Sequence, residues 1–394
     1  MKALMLAFFE DEKYKRFRPL TFTRPLYMLK IGGLYFFEHF IRQLNMNRTL
    51  LILRPELEKL CYWKVNVVRR LGCIVNKVPD GKLFLLVNAR MVPTGDAVNF
   101  LQEILSEEKE EDRAWLLGRD VLAMRLKRNT LAGYMKDLQK PSGEVFRRLL
   151  AECSKTKVSR RLPLFHDFRD LKQKVVEGIL SFSNSPRNTL ESALIWGNEE
   201  NVFVSEKARI EEEVFLDTRS GPIIIEPKAV IKAYSVIRGP AIVGEETQVL
   251  EKSIIDGSIV GERSIIGGTI ENSFLLGKNI IEDRSLLRST IIGEYAYVGS
   301  GAFLEEEVVL GDYACILPYT RIYENIRIGP LSLVSGFVDK HIPVMKFYSH
   351  DEGIVAMSEE EAERLLRSLL YNHFGRLPSS FEIELLKFLA VASR

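Results

Sequence analysis

From about residue 200 the chain places an aliphatic residue at every sixth position. The in-phase residues are Val204, Ile210, Leu216, Ile225, Ile231, Ile237, Val243, Val249, Ile292, Val298, Leu304, Leu310, Ile316, Ile322, Ile328 and Val334. No α-helix and no flat strand has this period. A hexapeptide repeat is typical of a parallel β-helix, in which each short side of a triangular coil turns one aliphatic side chain inward. The repeat therefore predicts such a coil for the second half of the chain.

Glycine often follows the aliphatic residue, as in "VGEE", "VGER", "LGKN", "IGEY" and "LGDY". A tight corner with an unusual φ angle favours glycine, so we expect these glycines to form the corners of the coil. Between residues 250 and 291 the period is irregular, but aliphatic doublets such as Ile254-Ile255, Ile265-Ile266 and Leu275-Leu276 continue. This pattern predicts that the coil goes on with altered corners.

The first part of the chain alternates short apolar runs with amphipathic ones. We expect strands at 2–9, 49–54, 82–89 and 114–118, and helices at 33–44 and 96–111. Strands that alternate with helices indicate a mostly parallel sheet, here an α/β Rossmann-like domain.

Two helices are predicted after the coil, because "SEEEAERLLRSLLYNHFG" and "SSFEIELLKFLAVAS" each begin with a Ser-x-x-Glu capping box. The boxes pair Ser358 with Glu361 and Ser379 with Glu382. We expect these helices to cap the open end of the coil or to pack on a neighbouring subunit. The predicted domains are thus 1–195 (α/β), 196–345 (β-helix) and 346–394 (helical).

Composition excludes several classes of function. The formal net charge of +2 gives no basic surface suited to nucleic acid or to a membrane. The four cysteines show no CxxC pair, which argues against a disulfide framework and a zinc site. No run approaches the ~20 apolar residues that a membrane span needs, and the first apolar run is too short for a signal segment. We therefore expect a cytoplasmic protein.

An arginine-rich turn, "RFRPLTFTRPL" (16–26), follows the first predicted strand. Ligands bind at the carboxyl ends of parallel strands, and guanidinium groups bind phosphate oxygens in pairs. Arg16, Arg18 and Arg24 are therefore candidates for phosphate binding, with Thr21 and Thr23 as hydroxyl donors. From the residues alone, a purely structural turn fits equally well.

The stretches "MKALMLA" and "RFRPLTFTRPLYMLKIGG" resemble the start of sugar-1-phosphate nucleotidylyltransferases that carry a hexapeptide-repeat tail. The closest resemblance is to the divergent branch of the bifunctional N-acetylglucosamine-1-phosphate uridylyltransferase/glucosamine-1-phosphate acetyltransferase. "GGTIENSFLLG" (267–277) and "STIIGE" (289–294) are similar to motifs in the β-helix of that branch. The resemblance implies a left-handed coil.

The resemblance also implies a reaction. A sugar-1-phosphate oxygen attacks the α-phosphorus of a nucleoside triphosphate (NTP) and pyrophosphate leaves, which yields a nucleotide sugar such as UDP-N-acetylglucosamine. It further implies Mg²⁺ as a cofactor and a homotrimer or dimer of trimers. The residues carried over are Arg16, Arg18 and Arg24 as catalytic, Lys15, Thr21, Thr23, Asn88 and Arg90 as nucleotide- or sugar-phosphate-binding, and Asp167 as a metal ligand. The pattern around Asp167 equally fits a helix cap.

Three positions depart from the family pattern. "FFEDEKYK" (8–15) replaces the glycine-rich phosphate loop, Leu26 stands where a lysine is expected, and Arg90 falls on the metal-binding aspartate. A catalytically degenerate subunit that binds a sugar nucleotide and regulates a partner is therefore an alternative.

The acyltransferase site of the β-helix is altered as well. Asp283-Arg284-Ser285 replaces a His-Asp-Gly run, so we assign no acyltransferase residue. Acyl transfer through the β-helix, with a carboxylate or a late histidine such as His341 or His350 as base, is the remaining alternative.

Overall fold

A computed structural model describes residues 4–182 and 193–392, which fall into two compact units. The first unit comprises residues up to Phe17, Arg24–Leu29 and Tyr35–Gly178; the second comprises Arg18–Thr23, Lys30–Leu34 and the residues from Ile179 onward. The coil and the C-terminal helices thus share a unit with two short stretches of the N-terminal sequence.

The strands before residue 160 are β1 (Leu4–Phe9), β2 (Lys30–Ile31), β3 (Leu34–Tyr35), β4 (Thr49–Leu51), β5 (Ile74–Val75), β6 (Leu83–Asn88), β7 (Arg113–Leu117), β8 (Asp120–Lys127) and β9 (Ser154–Lys157). The helices of the first unit are α1 (Phe36–Gln43), α2 (Glu58–Tyr62), α3 (Gly95–Ser106), α4 (Arg128–Leu138), α5 (Gly143–Glu152) and α6 (Phe168–Glu177). Short 3-10 turns cover Glu12–Phe17, Leu20–Phe22, Leu26–Met28 and Pro55–Leu57, and a π-helical turn covers Trp63–Val68.

The sheet of the first unit has the order β5-β4-β1-β6-β8-β7-β9. β5, β4, β1 and β6 run parallel, which confirms the predicted mostly parallel α/β domain. β8 was not predicted, and it lies antiparallel between β6 and β7. Helix α3 ends at Ser106 rather than at residue 111, because the charged run after it offers no apolar face to bury.

The second unit contains three sheets in which the strands of the coil run parallel, which confirms the predicted left-handed parallel β-helix. The first sheet contains Ala193–Trp196, Val214–Asp217, Val236–Arg238, Ile254–Asp256, Thr269–Glu271, Leu286–Arg288, Phe303–Leu304, Arg321–Ile322 and Phe337–Val338. The second contains Val202–Val204, Ile223–Ile225, Ala241–Val243, Ile259–Val260, Phe274–Leu275, Ile291–Ile292, Val309–Leu310 and Arg327–Ile328. The third contains Arg209–Ile210, Val230–Ile231, Gln248–Val249, Ile265–Ile266, Ile280–Ile281, Tyr297–Val298, Cys315–Ile316, Leu333–Val334, Lys346–Ser349 and Gly353–Ala356.

The six-residue repeat is the core of this coil, as predicted. All of the in-phase aliphatic residues lie in one buried cluster except Ile210, which is partly buried and packs against it. The irregular stretch continues the coil with shorter turns, since Ile255 pairs with Ile270, whereas Ile231 pairs with Val249.

The prediction that these glycines supply the unusual φ angles of the corners is wrong. The left-handed φ angles of the corners belong mostly to other residues, such as Lys228, Glu246 and Tyr313. What the glycines provide is space, because a Cβ on Gly261 would lie 2.6 Å from the backbone nitrogen of Gly277 in the next turn. Each such glycine therefore allows two turns of backbone to stack closely.

Both C-terminal helices are confirmed, as α7 (Glu359–Phe374) and α8 (Ser380–Ala392). The Ser358–Glu361 and Ser379–Glu382 capping boxes are both formed. The helices lie on the side of their own coil, where the Tyr313 hydroxyl donates to Glu382 (2.7 Å), and not over its open end. The end is instead extended by the hairpin of the last two strands of the third sheet.

None of the helices in residues 4–182 and 193–392 is both long and apolar enough to cross a membrane.

Gly261→Ala should lower the free energy of unfolding by about 1–3 kcal/mol, because the added methyl group meets backbone that cannot move aside. Gly133→Ala is the control, since Gly133 lies in α4 with nothing within 4 Å of its added Cβ. That change should be neutral or stabilising by up to ~1 kcal/mol. Urea denaturation measures both, and equal effects of the two changes would contradict the close-stacking explanation.

Candidate functional site

The carboxyl end of β6 brings two predicted site residues, Asn88 and Arg90, to the edge of the sheet at which β1 also ends. The strands pair in parallel with Phe9 opposite Asn88, so the residues that follow each strand leave at the same edge. The Asn88 amide donates to Asp11 (3.0 Å) and to the Val121 carbonyl (2.7 Å). Asp11 therefore joins the site, although the sequence analysis did not select it.

Arg90 is the centre of this edge and is fully buried, with 0% of its side chain exposed. Its Nη2 lies 2.6 Å from Asp11 Oδ2 and 2.6 Å from Asp120 Oδ1, and its Nη1 donates to the Phe165 carbonyl (3.0 Å). A buried guanidinium of this kind is stable only when carboxylates and carbonyls surround it. The sequence analysis assigned phosphate binding to Arg90. In the structure its guanidinium already pairs with two carboxylates.

The solvent-facing side of the edge consists of Lys13 and His166. Lys13 forms an ion pair with Asp120, and His166 Nδ1 lies 3.3 Å from Arg90 Nη1 with nearly half of the ring exposed. Burial works to raise the pKa of Asp120, but the hydrogen bonds from Lys13 and Arg90 hold it below its ordinary value. We call Asp11, Lys13, Asn88, Arg90, Asp120 and His166 the edge cluster.

The three predicted catalytic arginines have different surroundings. Arg16 and the predicted phosphate-binding residue Lys15 are exposed in the first unit. Arg18 is exposed in the second unit, with its guanidinium over the Phe22 ring at 4.7 Å. Arg24 is buried, with only 1% exposed. Arg16 and Arg18 are thus the two of these arginines that a ligand in solvent reaches directly.

Glu10 and Arg54, which the sequence analysis missed, fix the backbone of the arginine-rich turn. Glu10 accepts from Arg54 Nε (2.8 Å) and from the Leu26 N–H (2.9 Å), and Arg54 Nη2 donates to the Arg24 carbonyl (3.1 Å). Glu10 directly follows the buried strand β1, which was the available signal. Its partner Arg54 follows β4, 44 residues later in the chain, so no short sequence pattern could have predicted this pair.

The predicted hydroxyl donors Thr21 and Thr23 are both buried. Thr23 lies in the second unit, where its hydroxyl donates to Asp312 Oδ2 at 2.7 Å and to the Leu20 carbonyl at 3.2 Å.

Asp167 caps helix α6, because its carboxylate accepts from the Asp170 N–H (2.8 Å). The alternative assignment as a helix cap is thus confirmed. Within the described residues, no group of three or more His, Cys, Asp or Glu side chains could hold a metal ion.

A histidine that the sequence analysis did not select lies beside the coil. His373, in the last turn of α7, stacks on Tyr297 with ring centroids 4.7 Å apart. Burial lowers the pKa of His373, and the nearby Glu282 only partly opposes this. The neighbouring Phe374 packs on Tyr295, so both aromatic residues attach the helix to the coil.

Comparison with known proteins gives a family match for the N-terminal part of the chain. Residues 6–178 match the family model of the sugar nucleotidyl transferases. A search of proteins with curated functions gives no significant match. Among similar solved structures are two UDP-N-acetylglucosamine acyltransferases. The one from Francisella novicida is 18% identical, with a TM-score of 0.33 over 43% of this chain and 73% of that protein. The one from Arabidopsis is 13% identical, with a TM-score of 0.40 over 52% of this chain and 91% of that protein.

Asp11→Leu should lower the free energy of unfolding by about 3 kcal/mol or more, because it leaves the buried Arg90 with one carboxylate fewer. The double variant Asp11→Leu/Arg90→Met should recover part of that loss, since it removes both charges. Asp137→Leu, at an exposed pair with Arg148, is the control and should change stability by less than ~1 kcal/mol. Denaturant unfolding of the wild type and of each variant measures these changes. If Arg90→Met alone weakened nucleotide binding without loss of stability, Arg90 would instead be a ligand-binding residue.

Acid should loosen the C-terminal helices. Because the pKa of His373 is lower in the folded protein, the unfolded chain binds more protons just below pH 6.5, the ordinary value. The contribution of His373 to stability is therefore complete above that pH and is lost as the pH falls below it. Between pH 7.5 and 5.5 the Tm should fall more for the wild type than for His373→Phe, which keeps the ring contact without the titration. Equal slopes in thermal melts would refute this assignment.

Proposed function

We propose that the first unit transfers a nucleotidyl group to a sugar-1-phosphate. The phosphate oxygen of the sugar attacks the α-phosphorus of an NTP, the bond to the β-phosphate oxygen breaks, and pyrophosphate leaves. The match of residues 6–178 to the sugar nucleotidyl transferases carries the proposal. We favour UDP-N-acetylglucosamine as the product, because the arginine-rich turn and the β-helix motifs resemble those of the bifunctional N-acetylglucosamine-1-phosphate uridylyltransferase branch.

The geometry of the first unit supports a phosphate site at the carboxyl edge of its sheet. In the edge cluster, Arg90 and Lys13 balance Asp11 and Asp120, so the cluster itself offers little charge to an anion. Lys15 and Arg16 follow in the same segment, and both side chains are positively charged and exposed. Phosphoryl chemistry needs cations and in-line positioning more than covalent help from the protein. We assign the binding of the triphosphate to Lys15 and Arg16.

A specific observation favours a second candidate, a sugar-nucleotide-binding or regulatory subunit without turnover. Arg90 stands where the family resemblance implies a metal-binding aspartate, and its guanidinium is buried between carboxylates. Such a site binds a nucleotide through its outer cations while it lacks one of the ligands that transfer requires.

Magnesium remains a proposal, and the described residues do not fit a protein-held ion. Asp167 caps a helix, and the carboxylates of the edge cluster already pair with Arg90 and Lys13. No step of the proposed transfer uses a metal ion held by these residues, and turnover should be measured both with and without Mg²⁺.

We also propose a cytoplasmic homotrimer or dimer of trimers, by analogy with related β-helix proteins. Leu194 and Phe337 are more than half exposed, on the first and the last strand of the first coil sheet. Such apolar side chains support contacts between copies. Light scattering on the purified chain gives the mass that decides this.

Incubation with an NTP, a sugar-1-phosphate and Mg²⁺ should release pyrophosphate. Arg16→Ala should slow turnover by about a hundredfold, the effect of losing one donor to developing charge. Arg16 is a better choice than Arg24, because truncation of the buried Arg24 also disturbs packing. Arg209→Ala, an exposed arginine of the coil, should leave turnover unchanged.

The alternatives predict different outcomes of the same experiment. Saturable binding of UDP-N-acetylglucosamine without turnover of any common NTP and several sugar phosphates would establish the regulatory subunit. Release of free thiol from an acyl-coenzyme A in the presence of an amino sugar would favour acyl transfer by the coil.

A further inference from the structure

His166 lies at the carboxyl edge of the first sheet, and its two ring nitrogens have different surroundings. Nδ1 lies 3.3 Å from Nη1 of the buried Arg90. Nearly half of the His166 side chain is exposed, so the exposed part of the ring is the side away from Arg90, which holds Nε2. The assignment of the triphosphate to Lys15 and Arg16 leaves this ring without a role.

The contact with Arg90 decides which of the two nitrogens carries the proton. A guanidinium group has N–H donors and no acceptor, and it stays protonated in proteins. Nη1 donates one of its two N–H bonds to the Phe165 carbonyl (3.0 Å) and the other to His166 Nδ1. Nδ1 must therefore accept. A neutral imidazole that accepts at Nδ1 carries its proton on Nε2.

The carboxylate of Asp120 is too distant to reverse this assignment. Its Oδ2 lies 3.9 Å from His166 Nδ1, which is too far for a hydrogen bond. A proton on Nδ1 would also set one N–H bond against another, that of Arg90 Nη1, with no acceptor between them. The surroundings of the ring thus favour a single tautomer, with its N–H bond on the exposed side.

The backbone beside the ring is held in place on both sides of His166. The Phe165 N–H donates to the Arg90 carbonyl (3.0 Å), and the Phe165 carbonyl accepts from the Arg90 side chain. The His166 N–H donates to Asp170 Oδ2 (2.9 Å), in the first turn of α6. The ring therefore has a fixed position before any ligand binds, and a preorganised donor loses little entropy on binding.

We propose that His166 is a binding residue that donates a hydrogen bond from Nε2 to a phosphate oxygen of the substrate. Arg90 is then the positioning residue, because its guanidinium fixes the tautomer without touching the ligand. Arg90 and Lys13 already balance the two aspartates of the edge cluster, so a neutral ring adds a donor for an anion without adding charge. The contact with phosphate rests on the proposed function, whereas the tautomer does not.

Nitrogen-15 NMR of the histidine side chains tests the tautomer without any ligand. The chain has five histidines, and the signals that are missing from the spectrum of His166→Gln identify His166. At mildly alkaline pH the wild type should show a protonated Nε2 and an unprotonated Nδ1. In Arg90→Met both tautomers should be populated, because the donor to Nδ1 is gone. A proton on Nδ1 in the wild type would overturn the inference.

Two substitutions of His166 separate the roles of the two nitrogens. The amide of Gln reaches the position of Nε2 and donates there, whereas the amide of Asn reaches only that of Nδ1. Calorimetric titration with pyrophosphate, the product of every nucleotidyl transfer, should give similar Kd values for the wild type and His166→Gln. His166→Asn should bind it about tenfold more weakly, since one hydrogen bond to a charged group is lost. Both variants should keep the wild-type Tm, because the side chain is half-exposed.

His350→Asn, at an exposed histidine of the second unit, is the control and should leave the Kd unchanged. A parallel titration with N-acetylglucosamine-1-phosphate shows which phosphate group is contacted. A loss for pyrophosphate alone assigns Nε2 to the triphosphate, and a loss for the sugar phosphate alone assigns it to the attacking phosphate.

Equal Kd values of the wild type and His166→Asn for both ligands would overturn the binding role, and so would a wild type that binds neither. Turnover with an unchanged KM in His166→Asn would refute the inference and leave the proposed transfer intact. Weaker binding by His166→Asn, in a protein that never releases pyrophosphate from an NTP, would instead refute only the transfer.

Discussion

Close stacking of one turn of backbone on the next is the constraint on which the second unit depends. Where a glycine follows the inward aliphatic residue, successive turns approach until a single added Cβ would overlap with the turn above. The aliphatic column inside and the parallel ladders outside follow from this spacing. The spacing also fixes where outward side chains lie, since equivalent residues of successive turns are directly above one another. Glu262, Glu294 and Asp312, which each follow a glycine of this kind, therefore form a column along one corner of the coil.

Buried charge is organised in the same way in both units. In the first, Arg90 lies between two carboxylates at the carboxyl edge of the sheet. In the second, Lys30 lies between two glutamates. Such groups contribute little net stability compared with apolar residues of the same size, but they tolerate few alternative arrangements. Each such group therefore holds the segments around it in one arrangement.

The sequence resemblance and the family match agree, whereas the geometry differs from the resemblance at individual residues. Residues 6–178 match the sugar nucleotidyl transferases, as the arginine-rich turn led us to expect. Asn88 and Arg90 do lie at the predicted edge, but both are buried, as is Arg24. Asp11, Asp120, Glu10 and Arg54 complete the surroundings of the site, and only Glu10 and Asp11 had a local signal, their position directly after a buried strand.

Periodicity and capping determined the coil, its core residues and both C-terminal helices, because these features depend on neighbours a few residues apart in the chain. The tertiary structure alone decided what each charged residue contacts. Arg90 pairs with Asp11, which follows the neighbouring strand, and Thr23 bonds to Asp312, 289 residues later in the chain. Strand β8 pairs antiparallel with β6, although the alternation of strands and helices favoured parallel pairing. A charged side chain is compatible with either solvent or a buried partner, and the free energy that separates the two depends on groups that are brought close only by the complete fold.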